Sequence, residues 1–140
     1  MSDTVGNIAC LKTIPDAQQC KTTILVVEDE VLVRMMMADG LRDNGYIVIE
    51  AASADEALAI LHSGVTLNLV VTDHRMPGVL DGAGLARQLR VEFPFLKTVM
   101  VSGQKPDAAV REHLDAFFIK PCDPAILTNC LSTLLANSGE

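Results

Sequence analysis

The fold of this chain is decided by the stretch NLVVTDHRMPGVLDG, which runs from Asn68 to Gly82. It begins with apolar and β-branched residues that do not alternate with polar ones, a pattern typical of a strand covered on both faces in a parallel sheet. The strand ends on the bare carboxylate of Asp73, and a Met-Pro pair and a glycine turn follow at once. Because burial of an unpaired carboxylate is costly, we expect Asp73 at an edge of the sheet, where solvent or a ligand reaches it.

The same strand-then-helix pattern occurs five times along the chain. The strand runs read TILVVED, YIVIEA, LNLVVTD, KTVMVSG and AFFIK, and each is followed by a segment of helical character. Ser53 and Glu56 form a predicted capping box, while Gly45 and Gly64 are stop signals. Pro106 is expected in the first turn of the short fourth helix. The alternation predicts an α/β protein: a five-stranded parallel sheet with helices on both faces, of the doubly wound, flavodoxin-like (βα)5 type.

The chain is expected to form one domain. Its 140 residues, 49% of them hydrophobic and 21% charged, are typical of a single soluble globular unit with a core of its own. Residues 1–22 show no steady period and predict a flexible N-terminal tail. The domain proper is expected over residues 23–137, with a short tail at residues 138–140.

Charge and composition argue against several classes of function. Eleven Lys and Arg against eighteen Asp and Glu give a net charge of -7, which repels a phosphate backbone and disfavours direct nucleic-acid binding. The chain lacks both a signal peptide and an apolar run near the ~18 residues of a membrane span, so a cytoplasmic protein without membrane contact is expected. The cysteines lack paired close spacing and are expected to be reduced, packed thiols: Cys10, Cys20, Cys122 and Cys130.

Potentially reactive side chains stand at the ends of three strands: Glu28 and Asp29, then Asp73, then Ser102. Since ligands of open α/β sheets bind beyond the carboxyl ends of the strands, these groups are expected to share one edge. Carboxylates that meet there repel by roughly 4 kcal/mol per close pair at an effective dielectric of about 20, so a cation is needed. Mg²⁺, which takes oxygen ligands, and Lys120 at the end of the fifth strand can supply positive charge. An aspartate held in this way can attack a phosphoryl group in line.

With these residues the chain resembles the receiver domains of two-component response regulators. The resemblance rests on ILVVEDE, VVTDHRMPG, VMVSG and FFIKP, four motifs in order, each at its own strand end. It covers residues 23–137 and implies a single-domain, chemotaxis-regulator-like receiver. Such a module is a phosphoacceptor, and its chemistry is limited to its own phosphotransfer and autodephosphorylation.

The resemblance implies a role for each charged residue of the site. Asp73 would accept a phosphoryl group from a sensor histidine kinase or a histidine phosphotransfer protein. Mg²⁺ would be bound directly by Asp29, Asp73 and the backbone carbonyl of Arg75. Glu28 would act on the metal largely through water, and Lys120 would bridge the phosphate and the acid pocket.

The resemblance also implies a conformational switch. The hydroxyl of Ser102 would be drawn to the phosphate, and the ring of Phe117 would turn inward behind it. The signal would then pass to a downstream protein whose identity the residues do not reveal.

Two departures from the family pattern affect the regions around the site. Three residues, Gly78–Leu80, separate Pro77 from Asp81 where two are usual, so this loop is one residue longer. The segment between Ser102 and Lys120 is shorter than usual by roughly one helical turn, which shortens the fourth helix. Because the fourth helix is part of the usual dimerisation face, a monomer is expected.

Each site residue also has a plain structural interpretation when it is taken alone. Asp73 could cap a strand or pair with a base, Lys120 could be a solvated lysine, and Ser102 could cap a turn. Phe117 could be a simple core residue, or Phe118 could take the buried place instead. The joint occurrence of acids, hydroxyl and lysine at matching strand ends favours the functional interpretation.

The run VLVRMMM in the first helix contains two kinds of apolar residue. One helical stripe is predicted to face the core and comprises Val33, Met36, Met37 and Leu41. The residues outside that stripe are predicted to leave apolar surface beside the acid pocket for a partner helix: Val31, Leu32 and Met35.

Two other classes of function compete with a receiver. Phosphohydrolases of the haloacid dehalogenase type also use a strand-end aspartate with Mg²⁺, but they carry a second aspartate two places later, where this chain has Arg75. A nucleotide-binding module is disfavoured because neither G-x-x-x-x-G-K-[ST] nor G-x-G-x-x-G occurs. The chain ends at Glu140, soon after the last helix, so output through protein binding or phosphate relay is expected.

Overall fold

The structure is a computed structural model that describes residues 22–76 and 78–138. The two predicted tails lie almost wholly outside the described residues. The described part contains five strands and five helices in strict alternation. They are β1 (Thr23–Val27), α1 (Val31–Asp43), β2 (Ile47–Ala51), α2 (Ala54–His62), β3 (Leu69–Asp73), α3 (Gly82–Glu92), β4 (Lys97–Ser102), α4 (Ala108–Arg111), β5 (Ala116–Ile119) and α5 (Pro124–Ser138).

The five strands form one parallel sheet in the order β2-β1-β3-β4-β5. Leu25 of β1 pairs with Ile49 of β2 on one side and with Val70 of β3 on the other. The chain therefore runs outward from β1 to β2 and then continues on the other side of β1 with β3. This reversal places a crevice at the carboxyl ends of β1 and β3, the usual position of a ligand in doubly wound sheets. The predicted fold class is confirmed.

Side chains of successive strand residues alternate between two apolar layers. One layer lies under α1 and α5 and includes Ile24, Val26, Leu41, Leu69, Val71, Val99, Val101, Leu127 and Leu131. The other lies under α2 and α3 and includes Leu25, Val27, Leu61, Val70, Leu85 and Leu89. All residues of β1 and β3 are buried, as their unbroken apolar runs predict. Each large apolar side chain buried in this way stabilises the fold by about 1.5–3 kcal/mol.

Local signals determine where several helices begin and end. Ser53 precedes α2, and its Oγ accepts a hydrogen bond from the Glu56 N–H at 3.1 Å. The Glu56 carboxylate accepts from the Ala52 N–H at 2.6 Å, so the return bond of the predicted capping box forms one residue earlier than usual. Gly45 and Gly64 have φ of 93° and 96°, a left-handed conformation that favours glycine, and they follow the ends of α1 and α2 as predicted.

The core-facing stripe of α1 differs from the prediction at two residues. Val33 was expected in the core, but it is only partly buried and lines a surface groove together with Met37. Met36 was expected in the core, but 69% of its surface is exposed. The residues that face the sheet are Ala38 and Leu41, with Met37 packed against them at the edge of the core. Successive helix residues are rotated by about 100°, so a stripe centred on Ala38 and Leu41 turns Met36 towards solvent.

The fourth helix is a single turn, Ala108–Arg111. The expectation that Pro106 lies in its first turn is wrong, because the helix starts after its N-cap residue, Asp107. Pro106 lies in the preceding loop, where its carbonyl accepts a hydrogen bond from Arg111 Nη1 at 2.8 Å. A one-turn helix agrees with the shortened segment that leads to Lys120.

Two further expectations concern the cysteines and the membrane. Cys122 and Cys130 are free thiols, both partly buried, and Cys122 packs against the core layer under α1 and α5. Cys10 and Cys20 lie outside the described residues. Over residues 22–76 and 78–138, the helices are too short or too polar to cross a membrane.

Candidate functional site

An acid cluster lies at the carboxyl edge of the sheet. Glu28 directly follows β1, and Asp73 is the last residue of the adjacent strand β3. Together with Asp29 they form a group in which one carboxylate oxygen of each residue lies within 4.8 Å of the others. Glu28 has 0% and Asp73 has 8% of its surface exposed. The parallel pairing of β1 and β3 thus brings together acids that are far apart in the sequence.

Glu28 is a buried carboxylate with specific partners. Its Oε1 is 3.1 Å from Lys120 Nζ, and its Oε2 accepts a hydrogen bond from the Glu30 N–H at 3.2 Å. Burial raises the pKa of Glu28 and the charge of Asp73 raises it further, and these effects exceed the opposing effects of the hydrogen bonds from Lys120 and Glu30 and of the Lys120 charge. A carboxylate in this environment is stabilised as an anion by any additional cation nearby.

Lys120 connects two of the acids. Its Nζ lies 3.1 Å from Glu28 Oε1 and 3.4 Å from Asp73 Oδ1. Burial lowers the pKa of Lys120, but the hydrogen bond to Glu28 and the charges of Glu28 and Asp73 outweigh burial, so the net shift of the pKa is upward. The main-chain N–H of Lys120 donates a hydrogen bond to the Ser102 carbonyl at 2.7 Å, which joins the end of β5 to the end of β4. Lys120 therefore stays protonated and fixed beside the acids.

Several hydrogen bonds fix the main chain around Asp73. The His74 N–H donates to Asp73 Oδ1 at 2.7 Å, and Thr72 Oγ1 donates to the Asp73 carbonyl at 2.9 Å. The Gly82 N–H donates to the His74 carbonyl at 2.8 Å and so joins the start of α3 to the end of β3. A Cβ atom on Gly82 would lie only 1.8 Å from the Asp73 carbonyl oxygen. Only glycine permits this approach, a role that the sequence pattern does not reveal, although an Asp-Gly pair marks the helix start.

Asp73 and Ser102 face the same cleft. The cleft has a volume of about 270 Å³ and is lined by Asp73–Arg75 and Ser102–Gln104. Ser102 is 2% exposed, and its hydroxyl donates a hydrogen bond to the Gln104 carbonyl. Arg75 also lines the cleft, while metal contact by its backbone carbonyl stays a prediction. A ligand on Asp73 would thus enter a space that already contains a buried hydroxyl.

The two phenylalanines of β5 differ in their surroundings. Phe117 pairs with Met100 and Phe118 with Val101 of β4, and successive strand residues point to opposite faces. Phe118 packs against the core layer under α1 and α5. Phe117, on the other face, is partly buried, and its part in a switch with Ser102 stays a prediction.

The acid cluster fits a magnesium ion in its chemistry. All three carboxylates, from Glu28, Asp29 and Asp73, are hard oxygen ligands of the type that Mg²⁺ takes. Asp29 is accessible to solvent, so water could complete the coordination. Because burying a charged carboxylate is costly, a cation in the pocket would also help to offset the burial of Glu28.

Two apolar features involve α1, a set of exposed side chains and a groove. On α1 the exposed fractions are 55% for Val31, 73% for Leu32 and 47% for Met35, as predicted. A groove of about 410 Å³ lies between α1 and α5, and its lining includes Met36, Gly40, Leu127 and Lys120. Since Lys120 lines the groove and also contacts Glu28 and Asp73, a partner in the groove would lie next to the acid cluster.

The fold and the strand-end residues together define a receiver-type signalling module. Residues 24–132 match the family described as the response regulator receiver domain, and the chain belongs to this family. Receiver domains are phosphorylated by histidine kinases, and they generally bind Mg²⁺ through an acidic pocket. This membership disfavours the haloacid dehalogenase and nucleotide-binding alternatives.

Curated relatives include proteins of different overall architecture. The chain is 46% identical over 90 residues to the sensor kinase CckA of Brucella abortus, covering 64% of this chain and 9% of that protein. It is 43% identical over 124 residues to the probable transcriptional regulator ycf27 of Porphyra purpurea, covering 86% of this chain and 50% of the relative. It is 31% identical over 120 residues to the transcriptional regulatory protein AruR of Pseudomonas aeruginosa, covering 80% of this chain and 48% of the relative. The chain therefore spans about half or less of these relatives.

Solved receiver structures match nearly the whole described domain. A response regulator receiver protein from Sinorhizobium medicae is 30% identical with a TM-score of 0.75, covering 84% of this chain and 97% of that one. TrrA from Thermotoga maritima, solved with Mg(2+)-BeF, is 26% identical with a TM-score of 0.75, covering 81% and 98%. In both comparisons the similarity extends over almost the whole length of the solved chain.

Proposed function

We propose that this chain is a phosphorylation-controlled receiver whose phosphoacceptor is Asp73. The observation that supports the proposal most directly is the position of Lys120 Nζ, 3.1 Å from Glu28 and 3.4 Å from Asp73 in a pocket with Asp29. A protonated amine beside clustered acids has little use in stabilising a core, because burying charged groups is costly. It is well suited to receive a dianionic phosphoryl group, whose oxygens need positive partners.

In the proposed reaction, a carboxylate oxygen of Asp73 forms a bond to phosphorus while the bond from phosphorus to the donor breaks. The donor, a phosphohistidine or a small acyl phosphate, leaves with the electron pair of that bond. His74 N–H and Lys120 hold Oδ1, so Oδ2 is the proposed nucleophile. A Mg²⁺ ion held by Asp29, Asp73 and the Arg75 carbonyl, with Glu28 acting through water, would neutralise charge on the transferred group.

After transfer, Lys120 and Ser102 are proposed to bind the new phosphoryl oxygens. The Ser102 hydroxyl would exchange its bond to the Gln104 carbonyl for a stronger, charge-assisted bond to phosphate. Movement of Ser102 would open space for the ring of Phe117, which lies on the neighbouring strand. Phosphorylation would thereby alter the surface near β4 and β5 and change the binding of a downstream protein.

The phosphoryl donor is proposed to be a sensor histidine kinase or a histidine phosphotransfer protein that docks on α1. The supporting observation is the exposed apolar surface that Val31, Leu32 and Met35 form at the start of α1. An apolar helix that covers the start of α1 would bury these side chains close to Asp29, which lies two residues before Val31. Output would follow through altered binding of a protein partner or through onward relay of the phosphoryl group.

Acetyl phosphate and Mg²⁺ test the assignment of the phosphoacceptor. Intact mass should show one added phosphoryl group on the parent protein and none on Asp73→Asn. Asp81→Asn is the matched control, since it removes a nearby charge while asparagine keeps the N-cap bond that Asp81 accepts from the Gly84 N–H. Labelling of Asp73→Asn at the level of the parent would refute the proposal.

We also predict that activation leaves the protein monomeric. The α4 helix is one turn long, so it offers little area to the dimer face that is usual in this family. Sedimentation at micromolar concentration, with beryllofluoride and Mg²⁺ as a mimic of the aspartyl phosphate, should show a monomer. Amide resonances of Ser102 and Phe117 should shift under the same conditions. A beryllofluoride-dependent dimer would contradict the first expectation, and unmoved resonances at both residues the second.

A further inference from the structure

Arg34, in the first turns of α1, contacts the main chain of the acid cluster. Its Nη1 donates a hydrogen bond to the Glu28 carbonyl at 2.8 Å. Its Nε donates to Glu50 Oε1 of β2 at 3.3 Å. Only 16% of the Arg34 side chain is exposed, so both bonds are largely shielded from water. Arg34 is not a member of the acid cluster, and it contacts the cluster through the main-chain carbonyl of Glu28.

The Glu28 carbonyl belongs to the peptide that joins Glu28 to Asp29. A peptide group is planar, so a bond that fixes the carbonyl also fixes the direction in which Asp29 leaves it. The Glu28 N–H still donates to the Ala51 carbonyl of β2 at 3.0 Å, but the chain leaves the sheet after this bond. Arg34 therefore holds the chain just after β1, where the hydrogen bonds of the sheet end.

Glu50 orients the guanidinium of Arg34. Its carboxylate lies between two arginines of α1, with Arg34 Nε at 3.3 Å from Oε1 and Arg42 Nη1 at 3.1 Å from Oε2. Arg42 also donates to the Val48 carbonyl at 3.0 Å. Charge-assisted bonds to the rigid guanidinium fork restrict its orientation more than neutral bonds would. The two arginines share one carboxylate, but only Arg34 reaches the main chain of Glu28.

We propose that Arg34, oriented by Glu50, is a positioning residue for the magnesium-binding acids and acts through the Glu28 carbonyl. The inference rests on the proposed function of the acid cluster as a Mg²⁺ site. Mg²⁺ requires near-ideal octahedral geometry, so a small displacement of Asp29 weakens binding. Loss of a residue that orients metal ligands typically lowers metal affinity by about 10–100-fold.

The test compares the two arginines that share Glu50. Mg²⁺ is titrated into the full chain, and its dissociation constant is read from amide shifts of Asp29 and Asp73 for the parent, Arg34→Gln and Arg42→Gln. Arg34→Gln should raise the dissociation constant by about tenfold or more. Arg42→Gln removes the same charge from the same helix and the same carboxylate, and it should raise the constant by clearly less than Arg34→Gln does, because Arg42 contacts Glu50 but not Glu28. Melting temperatures in EDTA show that each variant is folded.

The variant Glu50→Gln is a second test of the proposal, and it leaves Arg34 in place. It should weaken Mg²⁺ binding in the same direction but less than Arg34→Gln, and it decides the question if Arg34→Gln does not fold. Parental Mg²⁺ affinity in a folded Arg34→Gln protein, or in Glu50→Gln if Arg34→Gln does not fold, would overturn the inference, as would an equal loss in Arg42→Gln. A parent protein whose resonances do not respond to Mg²⁺ would instead overturn the proposed metal site itself.

Discussion

Gly82→Ala should lower the free energy of unfolding by about 3 kcal/mol and abolish phosphorylation by acetyl phosphate. The added Cβ would lie 1.8 Å from the Asp73 carbonyl oxygen, 2.8 Å from its carbonyl carbon and 2.9 Å from His74 Cα. These are main-chain atoms of a buried strand end, which cannot move aside as a side chain can. Either α3 must shift away from the sheet or the Asp73 peptide must rotate, and both changes disturb the acid cluster.

Two other glycines provide matched controls for Gly82→Ala. A Cβ on Gly84, in the same helical turn, would meet the Leu80 side chain, with Cδ1 at 2.6 Å, and the end of that side chain can rotate away. A Cβ on Gly40 of α1 would meet nothing within 4 Å, so Gly40→Ala should stabilise the protein by about 0.5–1 kcal/mol. Urea unfolding and intact-mass labelling measure the two effects. A Gly82→Ala protein with the stability and labelling of Gly84→Ala would contradict the close-approach argument.

Asp29→Ala should remove the stabilisation that Mg²⁺ gives to the folded protein. A ligand that binds only the folded state at ten times its dissociation constant adds about 1.4 kcal/mol to the free energy of unfolding. In the parent this gain is expected because the folded pocket brings three carboxylates within 4.8 Å, an arrangement that the unfolded chain lacks. Without the Asp29 carboxylate, one of the proposed direct ligands is lost and the melting temperature should no longer respond to millimolar Mg²⁺.

Asp39→Ala is the control for the loss of one negative charge. Asp39 also belongs to the α1 region, but its side chain is 71% exposed and lies 3.8 Å from Arg42 rather than in the acid cluster. Its Mg²⁺-dependent stabilisation should equal that of the parent. The metal assignment would be refuted by a parent whose melting temperature ignores Mg²⁺ in a buffer free of other divalent ions, or by an Asp29→Ala protein that responds as the parent does.

Burial is predicted less accurately for single positions on a helix than for whole strands. The unbroken apolar runs of β1 and β3 required burial on both faces, and both strands are fully buried. The stripe on α1 included Met36, which is exposed, because apolar residues are frequent all round that helix and do not fix its rotation. Rotation of a helix on a sheet is set by how its side chains fit the core, and that fit depends on residues elsewhere in the chain.

The sequence by itself determined the order of strands and helices, the parallel sheet and the edge at which the acids stand. These follow from periodicity and capping, which are local, and from the rule that parallel strands present their carboxyl ends on one side. Tertiary structure alone decided how close the groups come: Lys120 against Glu28, Gly82 against the Asp73 carbonyl, and Arg34 against the Glu28 carbonyl. Each of these contacts joins different elements across the packed fold. Their distances depend on strand register and helix packing, which no local pattern encodes.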